Sequence, residues 1–160
     1  MVVLIDTTAL AVEPFLQGIS TRFWSLAESR GNRLEVQVEA GLPLILADEK
    51  RLNQIVGNLV DNAIKFTPHG KIIRLSAECA GNSYVRLLVH DGGAGISPDE
   101  AEHLFEPFYQ GDIGRRIKQG MGLGLSIAHQ LARAHGGSLD LQNAPDGGTL
   151  AILTLPVAVA

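Results

Sequence analysis

Residues 48–67 read DEKRLNQIVGNLVDNAIKFT, and this stretch decides the fold. Its apolar residues recur at spacings of three, four, seven and eight, so at 100° per residue they share one arc of a helix. Those residues are Leu52, Ile55, Val56, Leu59, Val60, Ala63 and Phe66. Asp48 suits the N-cap, and the run from Thr67 to Gly70 stops a helix. We therefore predict an amphipathic helix from Asp48 to about Phe66.

The sequence on either side of this helix alternates between strand and helix patterns. Strands are predicted over residues 34–38, 71–79, 84–91, 138–143 and 148–156, and a short apolar run follows Pro43. Further helices are predicted over residues 14–29, 97–105 and 123–135. Pro14 suits the first helical position. Antiparallel hairpins interleaved with a few helices indicate the α+β class, a sandwich of one sheet and one helical layer, better than a doubly wound parallel sheet.

Composition limits the classes of protein that this sequence fits. The chain has 160 residues, 46% of them hydrophobic, which predicts one packed domain over residues 1–160. Thirteen basic and seventeen acidic residues give a net charge of −4, with no basic run, so we expect no nucleic-acid partner. No apolar stretch reaches the roughly 18 residues that span a bilayer. We expect no membrane contact by this domain and a cytoplasmic location.

Three polar residues flank the apolar arc of the central helix. With Asn58 at 0°, Asn62 falls at about 40° and Lys65 at about −20°. An amide oxygen suits a hard Mg²⁺ ion, and a lysine supplies a point charge for phosphate. A solvated helix edge is an equally good interpretation of these three residues taken alone.

Asp91 ends the strand over residues 84–91, on the parity of the strand's apolar face. The sequence Asp91-Gly-Gly-Ala-Gly95 then turns sharply, without side chains that would shield the carboxylate. A rim carboxylate beside bare backbone can accept the exocyclic amino proton of a purine. Its place at a strand end also predicts that Asp91 can be replaced without loss of the fold. The alternative is an ordinary Asp-Gly turn.

A second glycine cluster, Gly120-Met-Gly-Leu-Gly124, runs directly into a predicted helix. Free N–H groups and the macrodipole at a helix N-terminus favour phosphate. The spacing matches neither the dinucleotide-binding fingerprint, which needs glycine where Leu125 stands, nor a P-loop. The preceding residues, 106–122, show no apolar periodicity and predict a long loop.

Taken in order, five segments resemble the sequence boxes of the catalytic ATP-binding domain of bacterial sensor histidine kinases. They are residues 58–67, 91–96, 104–109, 120–125 and 147–149, which match the N box, a first glycine box, the F box and two further glycine boxes. The resemblance covers about residues 10–156. It implies the Bergerat fold, a two-layer α/β sandwich with a mixed, mostly antiparallel sheet and about three main helices.

The resemblance also implies roles for the polar residues at the matching positions. Asn62 would ligate Mg²⁺ and Asn58 would assist at the metal or phosphates, Lys65 would contact a phosphate, and Asp91 would accept from the adenine amino group. Asn58, Asn62 and Lys65 are thus the implied catalytic residues. Further ATP contacts are implied for Gly93, Gly95, Ile96, Phe105, Phe108, Arg115, Arg116, Lys118, Gly120, Gly122, Leu123, Gly124 and Thr149. Residues 107–122 would form a mobile ATP lid.

The implied function is binding of Mg-ATP and transfer of its γ-phosphoryl group to a histidine on a neighbouring dimerisation domain of the parent kinase, with a response regulator downstream. Related ATP-hydrolysing proteins carry a glutamate where this chain has Asn58, and an amide cannot take a proton from water. No histidine precedes His69, so the chain resembles a kinase domain excised from a larger protein. The alternatives are a related anti-sigma serine kinase and a nucleotide-sensing module without transfer activity.

Overall fold

A computed structural model describes residues 4–97 and 121–158, without the side chains of residues 121–124. The elements are β1 (Thr8–Leu10), α1 (Val12–Ser29), β2 (Arg33–Val38), β3 (Ile45–Ala47), α2 (Glu49–Phe66), β4 (Ile72–Ala80), β5 (Tyr84–His90), α3 (Met121–Ala134), β6 (Ser138–Asn143) and β7 (Thr149–Pro156).

Five of the strands form one mixed sheet in the order β2-β4-β5-β7-β6. Its β4-β5, β5-β7 and β6-β7 pairs are antiparallel, whereas β2 and β4 are parallel. A parallel pair requires a crossover connection, and here β3 and α2 supply it. The short strands β1 and β3 pair separately, antiparallel. The predicted mixed, mostly antiparallel sheet is confirmed.

The three helices cover one face of this sheet. Helix α1 packs on β2 and β4, α2 on β5, and α3 on β6 and β7. Alternate residues of β5, Val85, Leu87 and Val89, face the helices and are buried, as the period of a strand requires. The predicted α+β sandwich of two layers is confirmed. No helix within the described ranges is both long and apolar enough to cross a bilayer.

The central helix forms as predicted. The Asp48 side chain accepts a hydrogen bond from the Arg51 N–H at 3.3 Å, which makes Asp48 the N-cap. Leu52, Ile55 and Val60 of the apolar arc are completely buried. Fully burying a side chain of this size contributes roughly 1.5–3 kcal/mol, so the apolar arc holds α2 on the sheet.

Two predicted boundaries need correction, and one strand was not predicted. Helix α1 begins at Val12, which makes Pro14 the third helical residue rather than the first. Proline is tolerated there because the first N–H groups of a helix have no acceptor within the helix. Helix α3 is already helical at Met121, two residues before its predicted start. The strand β1 was not predicted, because three residues are too few to show the alternation of apolar and polar residues typical of a strand. The helix predicted over residues 97–105 falls outside the described residues except for Ser97.

His135 connects the end of α3 to the start of α2. It is buried, and its Nε2 lies 3.1 Å from the Asp48 backbone N, while its Nδ1 lies 2.7 Å from the Leu131 carbonyl oxygen. Because the Asp48 N–H must donate, Nε2 accepts and Nδ1 carries the proton that is donated to Leu131.

The surroundings of Asp48 predict a loss of stability in acid. The Asp6 N–H, which donates to the carboxylate at 2.9 Å, is the main cause that lowers the pKa of Asp48, and the Arg51 N–H adds to it. A lowered folded-state pKa stabilises the fold above the unfolded-state value, and this stability is lost as pH falls. We expect the difference in free energy of unfolding between the wild type and Asp48→Asn to shrink from about pH 5 to about pH 3.

Urea titrations of both proteins across that range measure this difference. The Asn variant does not titrate, and both proteins retain His135. Its one amide oxygen can replace only one of the two accepting carboxylate oxygens, so the change of the difference with pH, not its size, reports on the charge. A difference that stays constant with pH would show that the charge of Asp48 does not contribute.

Candidate functional site

A mostly apolar cavity lies between α2, α3 and the sheet, where β5 ends. Its volume is about 30 Å³, and further empty space around it is open to solvent. The lining residues are Leu59, Asn62, Ala63, Phe66, Val89, Asp91, Ile96, Leu125, Leu141, Thr149 and Ala151. Apolar walls with a few convergent polar groups are typical of sites for small molecules. The polar side chains here belong to Asn62, Asp91 and Thr149.

Asp91 is held by backbone groups on two sides. Its Oδ1 accepts from the Gly93 N–H at 2.9 Å and from the Thr149 N–H at 3.0 Å, while its own N–H donates to the Thr149 carbonyl at 3.0 Å. Oδ2 forms no hydrogen bond with any residue that the structure describes. A carboxylate can only accept, so the cavity offers a fixed acceptor to a donor group of a ligand.

These contacts bear on the prediction that Asp91 can be replaced without loss of the fold. A side chain without an acceptor would leave the N–H groups of Gly93 and Thr149 unpaired. Each unpaired buried donor costs about 1–3 kcal/mol. Asp91 therefore contributes to the fold as well as to the cavity.

Thr149 contributes a buried hydroxyl to the same cavity. The residue is 8% exposed, and its Oγ1 has no hydrogen-bond partner in the described part of the chain. Buried polar groups in native proteins are nearly always paired with protein, water or ligand. The hydroxyl therefore indicates a site where a bound molecule or a water completes the hydrogen bonding.

The polar stripe of α2 is divided between two places. Asn62 lines the cavity. Lys65 forms an ion pair with Asp61, at 3.0 Å between Nζ and Oδ2, and both side chains are partly exposed. Asn58 instead lines a separate groove between α1 and α2, together with Arg22 and Asp61. Of the three predicted catalytic residues, the described structure thus brings one to the cavity wall.

The glycine-rich turn after β5 lies close to the end of α2. The Gly92 N–H donates to the Thr67 hydroxyl at 3.2 Å. A Cβ on Gly93 would lie 3.0 Å from the Phe66 carbonyl oxygen, so a side chain there would crowd the backbone of α2. Ile96 is buried and forms part of the cavity wall. The turn thus brings Asp91 and Ile96 to the same cavity.

The remaining predicted contacts cannot be placed in the same way. Outside the described residues lie Phe105, Phe108, Arg115, Arg116, Lys118 and Gly120. The backbone of α3 includes Gly122, Leu123 and Gly124. The predicted lid, residues 107–122, therefore overlaps this helix at its last two residues.

The apolar residues that form the walls of the cavity were predicted to be buried, but not to belong to a site. Leu59, Ala63 and Phe66 were assigned to the buried arc of a helix, and Val89 to the buried face of a strand. Periodicity identifies which residues leave solvent, but burial against a neighbour and burial around a cavity give the same pattern. Asn143, which hydrogen-bonds to Ile96, carries no signal in the sequence.

Comparison with known proteins identifies the class. Residues 47–159 match the family described as histidine kinase-, DNA gyrase B- and HSP90-like ATPase. The chain therefore belongs to this family of ATPases. Within this family, the similar proteins are histidine kinases, and they identify the chain as the catalytic ATP-binding domain of a sensor histidine kinase.

Three of these relatives show how far the similarity extends. An uncharacterized sensor-like histidine kinase of Rhizobium meliloti is 39% identical over 81% of this chain, which spans 25% of that protein. The structure of full-length ShkA in complex with AMPPNP matches with a TM-score of 0.85 at 32% identity, over 99% of this chain and 32% of that one. The catalytic domain of histidine kinase ThkA matches with a TM-score of 0.84 at 25% identity, over 96% of this chain and 97% of that one.

Proposed function

We propose that this domain binds Mg-ATP in the cavity at the end of β5 and, within its parent protein, transfers the γ-phosphoryl group to a histidine. The observation that supports this most is that two oxygens on one apolar cavity, Oδ2 of Asp91 and Oγ1 of Thr149, have no hydrogen-bond partner among the described residues. ShkA, which 99% of this chain matches over 32% of the ShkA chain, has been crystallised with the ATP analogue AMPPNP.

The adenine base of the nucleotide would occupy the apolar part of the cavity. Adenine is flat, and its exocyclic amino group donates where guanine carries a carbonyl oxygen. Asp91 can only accept, so it favours adenine over guanine. The Thr149 hydroxyl, which can donate and accept, completes the set by direct contact or through a water.

The phosphates and the metal would lie toward Asn62. The carbonyl oxygen of its amide is a suitable ligand for Mg²⁺, a hard cation that prefers oxygen. When bound, Mg²⁺ neutralises charge on the phosphates. Lys65 is partly exposed, and such ion pairs are worth at most about 1 kcal/mol, so its ammonium can leave Asp61 for a phosphate oxygen. A role of Asn58 at the metal or phosphates rests on the resemblance alone, because Asn58 lines the separate groove between α1 and α2.

Other parts of the proposal rest on the resemblance and the relatives alone. They include contacts of the basic residues Arg115, Arg116 and Lys118 with phosphates and of Phe105 and Phe108 with the lid. They also include an acceptor histidine on a dimerisation domain, a response regulator downstream and a cytoplasmic location.

Metal dependence tests the role of Asn62. We expect Asn62→Ala to lose most of the gain in ATP affinity that Mg²⁺ confers, because the substitution removes an oxygen ligand. Isothermal titrations with ATP, in Mg²⁺ and in EDTA, measure this gain for each protein. Asn53→Ala is the matched control, since Asn53 is an amide on the same helix that lines the other groove and donates to the Glu49 carbonyl. An unchanged gain in Asn62→Ala would contradict the assignment.

A further inference from the structure

Asn143 forms two hydrogen bonds with the backbone of Ile96, 47 residues away. Its Oδ1 accepts from the Ile96 N–H at 2.6 Å, and its Nδ2 donates to the Ile96 carbonyl at 2.8 Å. The side-chain amide of Asn143 carries an acceptor next to a donor. It therefore bonds to both the N–H and the carbonyl of Ile96, as the backbone of a neighbouring β-strand would. The contact attaches the segment after Asp91 to the end of β6.

This pairing closes a ring of hydrogen-bonded groups around the cavity. Asn143 is the strand partner of Thr149 in the β6-β7 pair. The Thr149 N–H donates to Asp91, and the chain from Asp91 leads through the glycine turn to Ile96. Asn143 does not itself line the cavity, but it holds Ile96, which does.

Gly95 makes the close approach of Asn143 feasible. Its φ of +88° lies in the left-handed region that favours glycine, and an added Cβ would stand 2.6 Å from Oδ1 of Asn143. No other residue type would leave the amide room to reach Ile96 without a shift. The resemblance implies that Gly95 contacts ATP, and in the structure Gly95 accommodates Asn143.

We infer that Asn143 is a positioning residue for the nucleotide site, acting through the backbone of Ile96. The inference rests on the proposed function, because it takes the cavity to be the place where adenine binds. With both hydrogen bonds in place, Ile96 is fixed as one wall of a preformed cavity. Without them, the wall must be ordered when the nucleotide arrives, and that ordering reduces affinity.

The test compares four proteins well below their melting temperatures: wild type, Asn143→Ala, Asn143→Asp and Gln142→Ala. Calorimetry gives the Kd for ADP, and NMR gives the hydrogen-exchange rate of the Ile96 amide. We expect Asn143→Ala to weaken binding about tenfold, consistent with the loss of two hydrogen bonds, and to speed exchange at Ile96. Asn143→Asp keeps the acceptor for the Ile96 N–H but sets a carboxylate oxygen against the Ile96 carbonyl, so it should bind ADP no better than Asn143→Ala. Gln142, exposed on the same strand, is the control and should change neither quantity.

Each failure has a distinct signature. Binding within twofold of wild type in Asn143→Ala, together with faster exchange at Ile96, would show that the wall need not be held, and would overturn the inference. Unchanged exchange at Ile96 would overturn it as well. A wild-type protein that binds no adenine nucleotide would overturn the proposed function itself, and the exchange rate of Ile96 would then show only whether Asn143 holds the segment.

Discussion

Replacing Asp91 with Asn is expected to weaken ATP binding by roughly 10- to 100-fold, the range for a lost hydrogen bond to a charged group. The reason is specific to Oδ2. The Asn carbonyl oxygen can still accept from the N–H groups of Gly93 and Thr149, as Oδ1 does now. In place of Oδ2, however, the variant presents an NH₂ group, which meets the adenine amino group donor to donor.

For the same variant we expect GTP binding to change in the opposite direction. The NH₂ group can donate to the carbonyl oxygen of guanine, so the preference for ATP over GTP should narrow or reverse. Titrations of both proteins with ATP and GTP measure this, and circular dichroism with thermal melting checks the fold. Asp91→Ala is the poorer test, because it leaves two backbone donors unpaired. Equal ATP affinity in Asp91→Asn and wild type would show that Asp91 does not bind the adenine base.

The features that could be predicted from the sequence are those with a long or local repeating pattern. Helix α2 was predicted within one residue at each end because eighteen residues repeat one period and Asp48 caps it. Asp91 was placed at the rim of the core because it continues the alternation of β5. In both cases the decisive contacts are local, and local spacing determines which way a side chain faces.

Contacts between distant segments could not be predicted in this way. The angles on α2 place Asn58 and Asn62 about 40° apart, which is too little to tell that they face different spaces. The division depends on α1, whose Arg22 lines the groove beside Asn58. Likewise, the way in which β6 and β7 meet the turn after β5 brings Asn143 to Ile96. It also leaves the hydroxyl of Thr149 without a partner among the described residues.

The last prediction concerns the reaction. We expect the purified chain to hydrolyse ATP at a rate roughly 10²- to 10⁴-fold below that of a relative with a general base, the usual contribution of such a base. We also expect that it will not phosphorylate itself. Among the described residues, the one carboxylate that lines the cavity belongs to Asp91, whose Oδ1 already accepts two N–H groups. Asp61 is paired with Lys65. The amide of Asn58 cannot take a proton from an attacking water.

Labelled ATP distinguishes transfer from hydrolysis. The chain is incubated alone, with a separately produced histidine-bearing dimerisation domain, and with the same domain carrying alanine at the acceptor position. Acid-labile label should accumulate on the intact partner only, because a histidine nitrogen is itself a nucleophile and needs no base from this chain. Phosphate release without the partner would indicate an autonomous ATPase, whereas label on this chain would indicate a kinase that modifies itself. Because both outcomes leave nucleotide binding in place, the Asp91→Asn titration and this assay test separate steps of the proposed function.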